Sequence, residues 1–153
     1  MILRKDKILL IQTNKGDYKF LGGGVKGSES YSQALLREIA EESGYRNCIV
    51  KDKVGIVEEN QLDLFEPNTY FQMVFHYYLC ELKNTIMTMQ KLDAYEADLD
   101  FKSVWITIEE AIQVNEASMN KEGSNPWVKR ETSVLKKLIN ESTTLKELIS
   151  IRK

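Results

Sequence analysis

The stretch between residues 22 and 45 holds the side chains best placed to do chemistry. Gly22, Gly23 and Gly24 are followed by Glu29, and then by Arg37, Glu38, Glu41 and Glu42. Carboxylates three and four residues apart on a helix repel one another, and a bound cation relieves that repulsion. Hard divalent ions such as Mg²⁺ prefer oxygen ligands and often join carboxylates to substrate phosphates. A glycine turn lets backbone approach a ligand closely, which would bring the Gly23 carbonyl oxygen near such an ion. Together these residues suit metal-assisted phosphate chemistry.

These acids need a helix to hold them. Ser30 with Gln33 three residues later forms a capping-box pattern, and Gly44 is a helix stop. The spacing predicts a helix from about Tyr31 to Ser43. At about 100° per residue, Leu36, Ile39 and Ala40 share one side with Leu35 at its edge, and Glu38, Glu41 and Glu42 share the other. The aliphatic side anchors the helix to a sheet while the acids face a cleft.

Arg37, Glu29 and the glycines stand at positions that resemble the Nudix box: a glycine, five residues, a glutamate, seven residues, then Arg-Glu-aliphatic-x-Glu-Glu-x-Gly-aliphatic. Gly23, Glu29, Arg37, Glu38, Ile39, Glu41, Glu42 and Gly44 match. Tyr45 replaces the last aliphatic residue, Leu21 stands where proline is frequent, and Lys26 where an acid is common. The resemblance spans 23 of 153 residues. It implies Glu38 and Glu42 as metal ligands, Glu41 as a ligand or water-orienting base, Glu29 as support for the metal directly or through water, and Arg37 as the side chain that orients a catalytic carboxylate. The metal implied is Mg²⁺ or Mn²⁺. Members often take a further acid from a loop outside the box. Glu96 is the candidate here, with Asp93, Asp98 and Asp100 as rivals.

The rest of the chain must supply the sheet. Met1 to Arg4 and Lys7 to Gln12 read as a hairpin. Cys48 to Glu59 reads as a strand, Gln61 to Asn68 as a loop, and Thr69 to Leu82 as a strand with alternating aromatic residues. Asn84 to Asp100 is irregular. Lys102 to Ile106 is a short strand, and Thr107 with Glu110 opens a helix through about Val114. Asn115 to Asn125 reads as a polar loop. Pro126 suits the first turn of a last helix, whose apolar stripe is Val128, Val134, Leu135, Leu138 and Ile139. Residues after Thr143 continue that helix or fray. Strands interleaved with helices imply an α/β fold, a mixed sheet covered on both faces. The resemblance makes this a Nudix-type α/β/α sandwich with the box as loop–helix–loop.

Composition narrows the setting. The 153 residues suit one domain, taken as 1–153. Lys and Arg number 21 against 23 Asp and Glu, for a net charge of −2. No basic stripe marks a polymeric nucleic-acid partner, whereas a small-molecule nucleotide needs only a metal site. No apolar run is long enough to span a membrane, and the first residues lack the apolar segment of a signal peptide. Cys48 and Cys80 match no metal motif and read as reduced, buried thiols, which points to the cytoplasm. A homodimer accords with the resemblance, since relatives often pair.

The activity implied by the resemblance is divalent-metal-dependent hydrolysis of the pyrophosphate bond in a nucleoside diphosphate linked to another moiety. Nucleotide sugars such as ADP-ribose, dinucleoside polyphosphates and (oxidised) nucleoside triphosphates all fit. The alternative is a non-catalytic Nudix domain that binds a nucleotide or protein in a regulatory role, but such domains usually lose box glutamates. Isopentenyl diphosphate isomerisation would want further metal-binding histidines, and His76 is the sole histidine. His76 reads as a hydrogen-bonded strand residue, and Trp105, Trp127 and the aromatics of Tyr70 to Tyr78 as core that could also stack on a base. Lys129 and Arg130 read as an exposed face within reach of phosphate.

Overall fold

A computed structural model describes residues 1–63 and 65–141. The elements are β1 (Leu3–Arg4), β2 (Lys7–Gln12), β3 (Tyr18–Lys19), α1 (Tyr31–Ser43), β4 (Cys48–Leu62), β5 (Tyr70–Leu82), α2 (Ala94–Asp98), β6 (Lys102–Thr107), α3 (Ile108–Met119) and α4 (Val128–Asn140).

Strand β2 organises the molecule. Its run Ile8-Leu9-Leu10-Ile11 is at most 1% exposed, the pattern of a strand covered on both faces. One edge pairs antiparallel with β6 from Lys7↔Thr107 to Gln12↔Lys102. The other edge pairs antiparallel with β1 and then with β3. Ile8 and Leu10 point to one core, with Ala111 of α3 and Val134, Leu135 and Leu138 of α4. Leu9 points to the opposite core, with Ile39 of α1, Ile2, Tyr45 and Cys80. Helices thus lie on both faces, as the α/β/α arrangement requires. Truncating Leu135, 1% exposed, to alanine would cost about 2–5 kcal/mol.

Strands β4 and β5 form a long antiparallel ribbon from Cys48↔Leu82 to Leu62↔Tyr70, with bulges between Val50 and Gly55. The ribbon meets the first sheet through a parallel bridge between Ile2 and Cys80. The mixed character of the sheet therefore rests on that bridge, and the ladders themselves are antiparallel. Cys48 and Cys80 are free thiols, the first half-buried and the second buried.

Several boundaries move relative to expectation. β4 runs to Leu62 rather than Glu59. α3 continues to Met119, so Asn115 is helical. It is fully buried because its amide mimics a strand edge: it accepts from the Tyr18 N–H at 2.7 Å and donates to the Tyr18 carbonyl at 3.0 Å. The region from Asn84 to Asp100 contains the short helix α2. Pro126 lies in the turn before α4, which starts at Val128. The expectation for residues after Thr143 falls outside the described residues. Among the described residues, no helix is long and apolar enough to cross a membrane.

Candidate functional site

Helix α1 presents the acids because its ends are firmly set. The Ser30 hydroxyl accepts from the Gln33 N–H, and the Gln33 side chain accepts from the Ser30 N–H. Such a cap contributes about 1 kcal/mol. At the other end Gly44 has φ of +83°, and a Cβ there would come within 2.1 Å of the Thr88 carbonyl oxygen. Only glycine ends the helix in that conformation against that neighbour. Ala34 and Ile39 are buried toward the sheet, whereas Leu36 is only partly covered.

Two of the acids do not lie on an open face. Glu38 is 6% exposed and Glu42 is 1% exposed. Glu96 of α2 comes in opposite them, and one oxygen from each of the three lies within 4.8 Å of the others. Among the described residues this is the sole set of three potential metal-ligating side chains that converges so closely. Glu96 is set by a second capping box, in which Asp93 accepts from the Glu96 N–H and Glu96 accepts from the Asp93 N–H, both at 2.9 Å. The same Asp-x-x-Glu pattern is present in the sequence and would have placed α2.

Each converging carboxylate is already held. Glu42 accepts from the Lys19 ammonium at 2.8 Å through one oxygen and from the Gly22 N–H at 2.9 Å through the other. Glu38 accepts from Arg37 at 2.6 Å. Gly23 is packed against Glu38: a Cβ there would stand 2.6 Å from its carboxylate, so the loop closes over the acid only because the residue has no side chain. Burial raises the Glu42 pKa to about 7 despite the opposing pull of Lys19. Burial also raises that of Glu96.

Glu29 and Glu41 belong to a different group, gathered around Arg37. The Arg37 fork donates to Glu29 through Nε at 2.6 Å and Nη2 at 3.0 Å, and to Glu41 at 3.1 Å. It also reaches the Gly24 carbonyl at 3.0 Å. Hydrogen bonding by Arg37, helped by the Lys26 N–H, lowers the Glu29 pKa to about 2. A bidentate guanidinium contact of this kind fixes geometry as well as charge. Arg37 thus ties the glycine loop, the residue before the helix and two helical acids into one unit.

Beside the glycines opens a cavity of about 350 Å³, within the range of small-ligand sites. Its walls come from elements distant in sequence: Lys19 and Gly22–Gly24, Tyr31 of α1, Phe75 and His76 of β5, and Arg130 and Glu131 of α4. Glu131 is 3% exposed. It accepts from the Phe20 N–H at 2.6 Å, Arg130 at 3.0 Å and the Tyr77 hydroxyl at 3.2 Å. Arg130 lies 3.7 Å over the Phe75 ring and bonds Glu59 at 3.0 Å.

His76 differs from expectation. Its Nδ1 is buried with no hydrogen-bond partner among the described residues, and its ring stacks on Tyr31 at 4.4 Å. Neither tryptophan lines the cavity. Trp105 donates to Tyr45 at 3.4 Å under the Arg4 guanidinium. Trp127 donates to Asp17 at 2.9 Å and meets Tyr95 edge-on. Lys129 is exposed, while Arg130 turns inward. Lys19 and Glu131 escape sequence reasoning because nothing local marks them; their roles come from contacts across the fold.

The NUDIX domain family profile matches residues 1–130. Comparison with curated proteins gives no match. Among solved structures, a UDP-X diphosphatase is similar at 19% identity and a TM-score of 0.51, covering 71% of this chain and 48% of that one. The E. coli ORF135 protein is similar at 25% identity and a TM-score of 0.45, covering 82% and 89%. An ADP-ribose pyrophosphatase from Streptococcus suis is similar at 19% identity and a TM-score of 0.48, covering 81% and 90%. With the profile spanning most of the chain and every box glutamate in place around the glycine loop, the chain belongs to the Nudix family of hydrolases.

Proposed function

We propose that this chain hydrolyses the pyrophosphate linkage of a nucleoside diphosphate derivative, using Mg²⁺ or Mn²⁺ held by Glu38, Glu42 and Glu96. The observation that carries the reading is the convergence of those three carboxylates within 4.8 Å beside a cavity. The donor set fits a hard divalent ion, since each of the three residues offers a carboxylate oxygen to one small space. When bound, the ion would neutralise phosphate charge and acidify water.

The chain's own residues supply the rest. The Gly22–Gly24 backbone lines the cavity at the end nearest Glu38, where a phosphate can approach without meeting a side chain. Glu96, brought in from α2, would hold the ion through one oxygen and accept the proton of attacking water through the other. Arg37 holds Glu41 and Glu29 in place. Held there, Glu41 would orient water beside the ion, and Glu29 and the Gly23 backbone would brace the loop around it. Beyond the glycines, Tyr31, Phe75, His76 and Tyr77 offer aromatic surface, which suits a nucleoside or another planar group on the far side of the linkage. The chain would act as one unit over residues 1–153 in a reducing cytoplasm, on a small-molecule nucleotide.

A panel of ADP-ribose, other nucleotide sugars, dinucleoside polyphosphates and nucleoside triphosphates, with Mg²⁺ and with Mn²⁺, tests this reading. Release of a nucleoside monophosphate that stops in chelator is the expected result. A metal-dependent nucleotide complex with no turnover of any member would instead favour the regulatory binding reading.

A further inference from the structure

We infer that Lys19 is a mobile counter-ion: it occupies the acid cluster before the metal arrives and then transfers to the substrate's phosphate. This rests on the metal site proposed above. Three observations carry it. The Lys19 ammonium lies 2.8 Å from Glu42, one of the three converging carboxylates. The Lys19 side chain is 13% exposed and that of Glu42 1%, so the pair is shielded from screening by solvent. Lys19 also lines the cavity together with Gly22–Gly24, and its ammonium reaches the Gly22 carbonyl at 3.5 Å. One side chain therefore touches both the acids and the cavity beside the glycine loop.

The physical argument is charge accounting. Glu42 is too deeply buried to carry its charge alone, and Lys19 provides the opposite sign. A divalent ion among Glu38, Glu42 and Glu96 supplies that charge instead and repels an ammonium only a few ångströms away. The lysine stem is flexible and its ammonium is a compact point charge. Its nearest new partner is a phosphate oxygen over the glycine loop. Metal binding would thereby turn a structural ion pair into a substrate contact, so that phosphate is held well only after the metal is in place. The Phe101 ring, 5.0 Å from the ammonium, offers a wall past which the side chain can swing.

The test uses two probes, Mn²⁺ alone and imidodiphosphate added to Mn²⁺-saturated protein, with wild type and Lys19→Met. Lys19→Met should bind Mn²⁺ roughly tenfold tighter because a competing positive charge is gone. The same variant should bind imidodiphosphate roughly tenfold more weakly because a phosphate partner is gone. Unchanged or weaker Mn²⁺ binding by a folded variant, or unchanged imidodiphosphate binding, overturns the inference. Should Lys19→Met fail to fold, the wild-type chain still decides: the Lys19 side-chain methylene resonances should shift on Mg²⁺ addition and again on imidodiphosphate. Resonances that stay fixed through both additions also overturn it. Wild-type protein that binds no Mn²⁺ would instead remove the proposed metal site itself, a separate failure.

Discussion

The two carboxylate groups on either side of α1 are built from neighbouring residues but for opposite ends. Glu29 and Glu41 are partly exposed and share Arg37. Glu38 and Glu42 are buried and converge on Glu96. The outer group sets one guanidinium against two acids, and its fork lowers the Glu29 pKa to about 2. The inner group has more acid than base around it, and burial raises the Glu42 pKa to about 7. Residue type alone does not separate a carboxylate held on a guanidinium from one buried in a converging cluster. Burial and the supply of opposite charge do.

The largest test of that contrast is Glu42→Gln against Glu29→Gln. Glu42→Gln should lower kcat by roughly 10³-fold or more, since it removes an ion ligand, whereas Glu29→Gln should cost about tenfold, since it loosens support. Steady-state rates with Mg²⁺ on folded variants decide, and equal losses would erase the distinction between the groups.

A smaller effect is expected at Arg37→Lys. A single ammonium cannot reproduce the fork that spans Glu29, Glu41 and the Gly24 carbonyl. Turnover should fall roughly tenfold, with Mn²⁺ affinity falling less, because of the inner three carboxylates only Glu38 loses a partner. Mn²⁺ binding that collapses along with turnover would show the two groups to be one.

The smallest effect is on stability. Glu42 is raised from 4.5 to about 7 in the folded chain. A raised acid binds its proton more tightly when folded, so its contribution is complete below the unfolded pKa and is lost as pH rises through about 7. In chelator, the melting temperature should fall between about pH 5 and about pH 8 more steeply for wild type than for Glu42→Gln. Glu29 has the opposite sign: its lowered pKa gives stability that is present above its ordinary value of 4.5 and is lost as pH falls toward about 2. A wild-type slope equal to that of Glu42→Gln would show that burial does not raise the Glu42 pKa.

The sequence makes the local parts of this site readable and hides the assembled ones. Helix α1 is legible because its signals are short range: Ser30 with Gln33, Gly44, and the spacing of Glu38 and Glu42. The buried run of β2 and the aromatic alternation of β5 are legible for the same reason. The depth at which Glu38 and Glu42 lie is not, because it depends on Gly23 closing over one and on Lys19 and Gly22 meeting the other. Type alone leaves Glu96 one of four candidate acids with Asp93, Asp98 and Asp100, because its approach to α1 is a contact between residues far apart in sequence. Asn115 looked like loop because it is polar, and only its pairing with Tyr18 explains a buried amide in a helix. The cavity draws on β3, α1, β5 and α4, and no single stretch announces it.

The central claim is that the inner carboxylates, not the outer ones, hold the ion. Crystals soaked in MnCl₂ and measured at the manganese absorption edge test it most directly. The account predicts an anomalous peak among Glu38, Glu42 and Glu96, with Lys19 turned away from Glu42. A peak lying instead between Glu29 and Glu41 with Arg37 displaced, or none near α1, would contradict it.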